Sequence, residues 1–471
     1  LGSYVVGAAG GAVGVGGAIA VWALGGNLSG SYNYDSDGNG SDESNDALMG
    51  QDEDGNGTTS TASFTDTQMS PTSITELLGT LTTSSGSLLG GGDQQAAAGS
   101  ARSAVSGGVP AGGASNAMNA TVGTGTAIAQ VAVPRGTAAF IARGAEATAG
   151  RHIDLDARER LQLTMVGGGV GIGGVGLGAG IGILTLDTPV AAFVGSGATL
   201  RAGTVDPTGD VTIDARLRAD VSVLGITAGL GAFAGIAGSV AVVHDISTVF
   251  AGIEDLGGTA TAARILAADQ VAIRAERDVA LHLSVLAASG SLIGALGAAI
   301  LVAEVGGSTT AAVGSAAQIG TPGSTPGVGS ISVVADSDID IGRYTGADYS
   351  AVGIGVGGIG ALAAGVVVMT VDANTLARIG DDATTAASGA VQVQATSDLD
   401  LRIDADGGAL GAVAIGAMFA YANVGTSTDR ALTRASLGAR SRVQGSSVSV
   451  LAEADADVDA RVGAGNGGLV A

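Results

Sequence analysis

The sequence predicts an all-β fold: a Gly/Ala-rich β-solenoid-like repeat array of about 60 residues per repeat, with one long loop insertion. Three observations predict it. A short alternating phrase returns at almost constant intervals, each return opens a stretch of two-residue periodicity, and a glycine-rich apolar run follows each stretch.

The phrase reads Ile153-Asp-Leu-Asp-Ala157, then Val211-Thr-Ile-Asp-Ala215 and Val271-Ala-Ile-Arg-Ala275. It comes back as Ile331-Ser-Val-Val-Ala335, Val391-Gln-Val-Gln-Ala395 and Val448-Ser-Val-Leu-Ala452. The closing alanines are spaced by 58, 60, 60, 60 and 57 residues, a register that chance does not hold five times.

After the second phrase, Val211, Ile213, Ala215, Leu217, Ala219, Val221 and Val223 fall on one side. Thr212, Asp214, Arg216, Arg218, Asp220 and Ser222 fall on the other. A helix would need apolar residues every three to four positions, so this pattern is a strand with one wet face. Glu159 and Arg277 are lapses on the apolar side.

The glycine-rich runs are Val166–Leu186, Leu224–Val243, Leu286–Val302, Ala351–Val371 and Gly407–Val424, and their β-branched tails read as buried strands. Glycine weakens a strand unless a steric reason keeps it there, and the reason expected here is close approach of two backbone layers. A polar turn and a short third strand follow, as at Thr248–Ile253 and Thr375–Ile379. The pattern leaves parallel and antiparallel arrangements open. A rival reading is membrane helices, because Tyr349–Val371 carries no charge. Against it, Gly167–Gly176 is a very poor helix former and the flanking charges have no one-sided basic bias.

Ala234-Gly-Ile-Ala-Gly-Ser-Val-Ala-Val-Val243 with Phe250-Ala-Gly-Ile253, and Ala363–Val368 with Leu376-Ala-Arg-Ile-Gly380, carry a resemblance. Run, strand and closing segment together resemble the repeats of giant bacterial cell-surface proteins and leukotoxin-like filamentous adhesins. The resemblance covers most of the chain outside Gly25–Arg135. It implies extracellular display, self-assembly or adhesion to a host surface or polysaccharide, and it brings no catalytic residues with it.

The first repeat is interrupted. Residues 1–24 supply a glycine-rich run and strand, and 25–135 form a Ser/Asp/Gly-rich insertion. The array then occupies 136–461, and 462–471 begin a further run. The insertion holds two phrases, Asp35-Ser-Asp-Gly-Asn-Gly40 and Asp52-Glu-Asp-Gly-Asn-Gly57. Oxygens at alternate positions before a sharp glycine turn are how a calcium loop begins. The expected calcium ligands are Asp35, Asp37, Asn39, Ser41 and Asp46 in the first, and Asp52, Asp54, Asn56 and Thr58 in the second. A solvated acidic linker is the alternative.

Other chemistry is sparse. The net charge is −23 and every one of the 20 basic residues is Arg, which disfavours nucleic acid and anionic membranes as partners. With no Cys there is no disulfide or thiol nucleophile, and with no Lys there is no P-loop. Gly171–Gly176 matches a dinucleotide fingerprint only because glycine saturates the run. His152, His244 and His282 occupy unrelated repeat positions. Asp336, Asp338 and Asp340, with Asp398 and Asp400 one repeat later, form acidic ladders. Calcium binding, glycosidic acid–base chemistry and simple solvation are their three readings. The expectation is a non-catalytic structural or adhesive protein that stacks end to end with copies of itself or with neighbouring segments of a longer chain. A membrane-embedded repeat protein and a carbohydrate-active β-helix enzyme are the alternatives.

Overall fold

The computed structural model describes residues 2–25, 122–134, 136–204, 209–253, 263–323, 327–425 and 431–468. Within them the chain is all-β, and every strand ladder is parallel. The arrangement the sequence left open is thereby decided.

The first unit contributes β1 (Gly2–Gly25), β2 (Val122–Pro134), β3 (Thr137–Ile141) and β4 (Glu146–Thr148). The second has β5 (Ile153–Asp187), β6 (Val190–Val194) and β7 (Thr199–Arg201), and the third β8 (Val211–Asp245) and β9 (Thr248–Ile253). The fourth has β10 (Arg264–Ser291), β11 (Gly294–Val305), β12 (Ser308–Val313) and β13 (Gln318–Ile319). The fifth comprises β14 (Val328–Gly342), β15 (Ala351–Gly357), β16 (Gly360–Val371), β17 (Asn374–Ile379) and β18 (Thr384–Ala386). The last elements are β19 (Ala390–Leu410), β20 (Val413–Val424), β21 (Leu432–Leu437), β22 (Arg442–Gln444) and β23 (Ser447–Gly467).

The recurring phrases are neighbours. Ile153 pairs with Val211, Val211 with Val271, Val271 with Ile331, Ile331 with Val391 and Val391 with Val448. The third strand of the first unit, expected at Thr137–Ile141 beyond the insertion, forms β3 and pairs with β6. Together with β9, β12, β17 and β21 these make a separate six-stranded sheet. β2, at the end of the inserted stretch, lies alongside the second half of β1, with Val13 opposite Val122.

The short strands β4, β7, β13, β18 and β22 stand where the sequence suggested only loop. At two or three residues each they are too short to show alternation. Each follows a four-residue turn whose third residue is left-handed: Gly144, Gly197, Ala316, Asp382 and Arg440. The hydrogen bonds Ala198 N to Gly195 O and Ala317 N to Gly314 O close two of these turns.

Two cores result. In the first, Val211, Ile213 and Ala215 of the alternating strand meet Val249, Ala251 and Ile253 of the six-stranded sheet. Farther along, Val221 and Val223 meet Ala241 and Val243 of the returning half of β8, and the same contact repeats with Leu281, Leu283, Leu301 and Ala303. Each buried Val or Leu contributes about 1.5–3 kcal/mol, so a column of them stabilises the stack despite small neighbours.

Beyond that second core each unit continues as a thin arm that folds back on itself. A Cβ placed on Gly171, Gly229 or Gly353 would overlap the carbonyl oxygen of Leu177, Ile236 or Ala364 across the arm. The expected close approach of backbone layers is therefore the reason for glycine at these three positions. The arm turns at Gly174, at Ala232-Phe233, at Leu292-Ile293, at Gly358-Ile359 and at Gly411-Ala412. The charge-free run read alternatively as a helix is two strands, β15 and β16, on either side of one such turn. Among the described residues no helix is long and apolar enough to cross a membrane.

Candidate functional site

The outward side chains of the alternating strands build the most strongly charged surface. One column runs Arg158, Arg216, Glu276, Asp336, Thr396, Glu453 from the second unit to the last strand. The next runs Arg160, Arg218, Asp278, Asp338, Asp398, Asp455. Both are basic at one end and acidic at the other.

At the basic end charges are paired locally. Arg158 lies 2.6 Å from Asp156, and Arg218 Nε lies 3.1 Å from Asp278 across a ladder. Arg274 lies 2.9 Å from Glu276. At the acidic end Asp278, Asp338, Asp340, Asp398, Asp400, Asp455 and Asp457 surround an open depression of about 350 Å³. Burial, and then the charges of Asp278, Asp398, Asp340 and Asp336, raise the carboxyl of Asp338 above the usual carboxylate range. Asp336 is raised too, chiefly by burial and against the opposing pull of Arg274.

The sequence named Asp336, Asp338, Asp340, Asp398 and Asp400, and the structure brings them together. It missed Asp278, Asp455 and Asp457, which the repeat register would have supplied, since each falls one ladder step from a named residue. Among the described residues no group of three or more His, Asp or Glu is arranged to hold a metal ion. The expected calcium ligands Asp35, Asp37, Asn39, Ser41, Asp46, Asp52, Asp54, Asn56 and Thr58 lie outside the described residues.

The two lapses on the apolar side have distinct partners at one inner corner. Glu159 Oε2 accepts a 2.6 Å hydrogen bond from the hydroxyl of Thr137. Arg277, in the same column two units on, donates to Asp245 Oδ2 at 2.8 Å and to Gly306 O at 2.6 Å. Asp187, adjoining Asp245, is pushed up to about 7 by burial first and by the Asp245 charge second. A buried carboxylate that finds no cation resists ionisation in this way.

The histidines serve three different places. His152 Nδ1 accepts from Asp210 N, His244 Nδ1 stands 3.3 Å from Glu304 Oε2, and His282 is in register with Ser222 and Gly342. Gly171–Gly176 spans the arm turn at Gly174, with strand on both sides and no helix behind it.

The outer faces of the folded arms form the second distinctive surface. On the returning strands Ile236, Leu296, Leu362 and Ile415 stand in register as one ridge, and Val240, Ile300, Val366 and Phe419 as another. Gly238, Ala298, Ala364 and Ala417 form a groove between them. Larger residues thus point outward while glycine and alanine fill the inside, the reverse of the usual distribution.

No family model matches the chain, and no curated protein or solved structure matches it significantly.

Proposed function

We propose that this chain is a structural or adhesive extracellular repeat protein, a β-solenoid of about sixty-residue coils that stacks end to end into a rigid stalk or filament. The observation that carries the reading is the unbroken in-register pairing of six alternating phrases, from Ile153 to Val448. A wall of this kind contributes length and stiffness, and its terminal strands offer free hydrogen-bonding edges to a further coil.

Two features support stacking in one direction. On β23, Val448, Val450, Val458 and Val462 are exposed although their in-register neighbours Val391, Val393, Leu401 and Ala405 are buried. A further coil would cover them. The repeat register also sets Glu453 and Asp455 of one array opposite Arg158 and Arg160 of the next, pairing acidic with basic ends. The neighbour is either a second copy or an adjacent segment of a longer chain.

In this reading the insertion is a decoration on the stalk that binds calcium through Asp35, Asp37, Asn39, Ser41, Asp46, Asp52, Asp54, Asn56 and Thr58. It is the place for contact with a host surface or polysaccharide. Catalysis is not part of the proposal. Electron microscopy of the native material tests the stalk: rods or filaments with an axial spacing of about 4.8 Å are expected. Dispersed globular monomers would overturn it. Calorimetric titration with calcium tests the decoration, with loss of binding expected in Asp37→Ala/Asp54→Ala and retained binding counting against these ligands.

A further inference from the structure

We infer that the apolar outer face of the returning arm strands is a lateral docking surface for a second copy of this chain. The face spans β5, β8, β11, β16 and β20, which follow one another through parallel ladders. No charged residue stands on it between Ala234 and Val243, between Gly294 and Ala303, or between Gly360 and Val371. On it Leu362 of β16 is 45 % exposed and Ile236, Val240, Leu296, Ile300 and Val366 are half-buried, while Ile415 at 56 % and Phe419 at 53 % lie on β20, the outermost of these strands.

The relief of this face fits a copy of itself. Its two ridges flank a groove floored by Gly238, Ala298, Ala364 and Ala417, so a ridge of one copy can lie in the groove of the other about a two-fold axis. Two sheets packed in this manner stand ~10 Å apart with interdigitated side chains. Phe419 and Tyr421, stacked with ring centroids 6.4 Å apart, add aromatic area at one end of the ridge.

The area is sufficient. Strands rise ~3.3 Å per residue and lie ~4.8 Å apart, so nine residues on five strands present on the order of 600 Å². Two copies would bury roughly 1,200 Å², the lower bound for a specific interface, and more as the corrugation is followed. The opposite choice of face is closed by charge, because the acidic depression would meet its own copy with seven carboxylates on each side. This inference is independent of end-to-end stacking, which uses the strand edges rather than the sheet face.

Because the chain has no cysteine, a single one placed in the groove reports directly. In the full chain, Ala364→Cys is expected to be joined between copies by a flexible bis-maleimide long enough to pass the intervening ridge, while Asp338→Cys on the acidic face remains unlinked. Sedimentation equilibrium should show a dimer whose association weakens at least tenfold in Leu362→Glu/Val366→Glu, with circular dichroism unchanged. If that double variant loses its β signal, the cross-link alone decides. Absence of the Ala364→Cys cross-link, or equal cross-linking at both positions, overturns the inference. So does flotation of the unaltered chain with neutral phosphatidylcholine vesicles as a monomer, which would make lipid the occupant.

Discussion

Arg277 and Asp245 form a wholly buried ion pair, the guanidinium 2.8 Å from the carboxylate and neither side chain reaching solvent. Asp245 is held from the other side by the backbone amide of Ser247, which donates to its Oδ1. One unit earlier, the position of Arg277 is Leu217, fully packed among apolar neighbours. The site therefore accepts either a paired charge or a hydrocarbon. Arg277→Leu alone should lower stability by about 3–5 kcal/mol, because it strands a buried carboxylate. Arg277→Leu/Asp245→Asn should recover most of the loss. Urea denaturation of the two variants checks this, and an unaltered midpoint in the single variant would contradict it.

The glycines of the arms divide into two kinds. At Gly229 an added Cβ meets the backbone of Ile236, whereas at Gly238 it meets nothing within 4 Å. Gly229→Ala should therefore cost about 1–3 kcal/mol or more through forced separation of the two layers. Gly238→Ala should be neutral or stabilising by up to ~1 kcal/mol, since glycine in a strand loses the more backbone entropy. Thermal melts of the pair settle the matter, and equal destabilisation would count against the folded-back arm.

The raised carboxyls make stability fall as pH rises. Asp187 titrates near 7 in the folded chain but in the ordinary carboxylate range when unfolded, so the folded state holds the extra proton in between. Its contribution is full below the unfolded value, is lost as pH climbs toward 7, and is flat above. Asp336 and Asp338 act in the same direction. Asp187→Asn should flatten the midpoint profile through this window, and an unchanged slope would remove Asp187 as the cause.

Salt should stabilise the acidic end. The carboxylates around the depression repel one another across adjacent ladder steps, and salt shortens the range of that repulsion from ~10 Å at 0.1 M to ~3 Å at 1 M. Asp338→Asn should raise the melting temperature at low salt and lose its advantage at high salt. An advantage independent of salt would place the effect elsewhere.

Much of this was legible from residue order. The phrases from Ile153 to Val448 announced their own pairing, and the third strands Thr248–Ile253 and Thr137–Ile141 fall where the pattern put them. Glycine-rich runs signalled close layers, but not that the layers belong to one arm folded back at Phe233 or Ile359. A turn flanked by apolar residues on both sides leaves no polar mark. Strands as short as Gln318–Ile319 carry no periodicity at all. The acidic depression was half visible: Asp338 and Asp398 stand in matching phrases, whereas Asp278 and Asp455, one ladder step to either side, were legible only by carrying the same register through the neighbouring phrases. Arg277 looked like an error in the pattern because its partner is 32 residues away in sequence.

The central claim is that successive phrases lie on one another in register. With no native cysteine, nitroxide labels can be placed at Thr212→Cys and Ser332→Cys, two ladder steps apart on the wet face. Stacked strands put these positions roughly 10 Å from each other. Continuous-wave electron paramagnetic resonance of the doubly labelled chain should show strong dipolar broadening. A spectrum equal to the sum of the two single labels would contradict the fold and everything built on it.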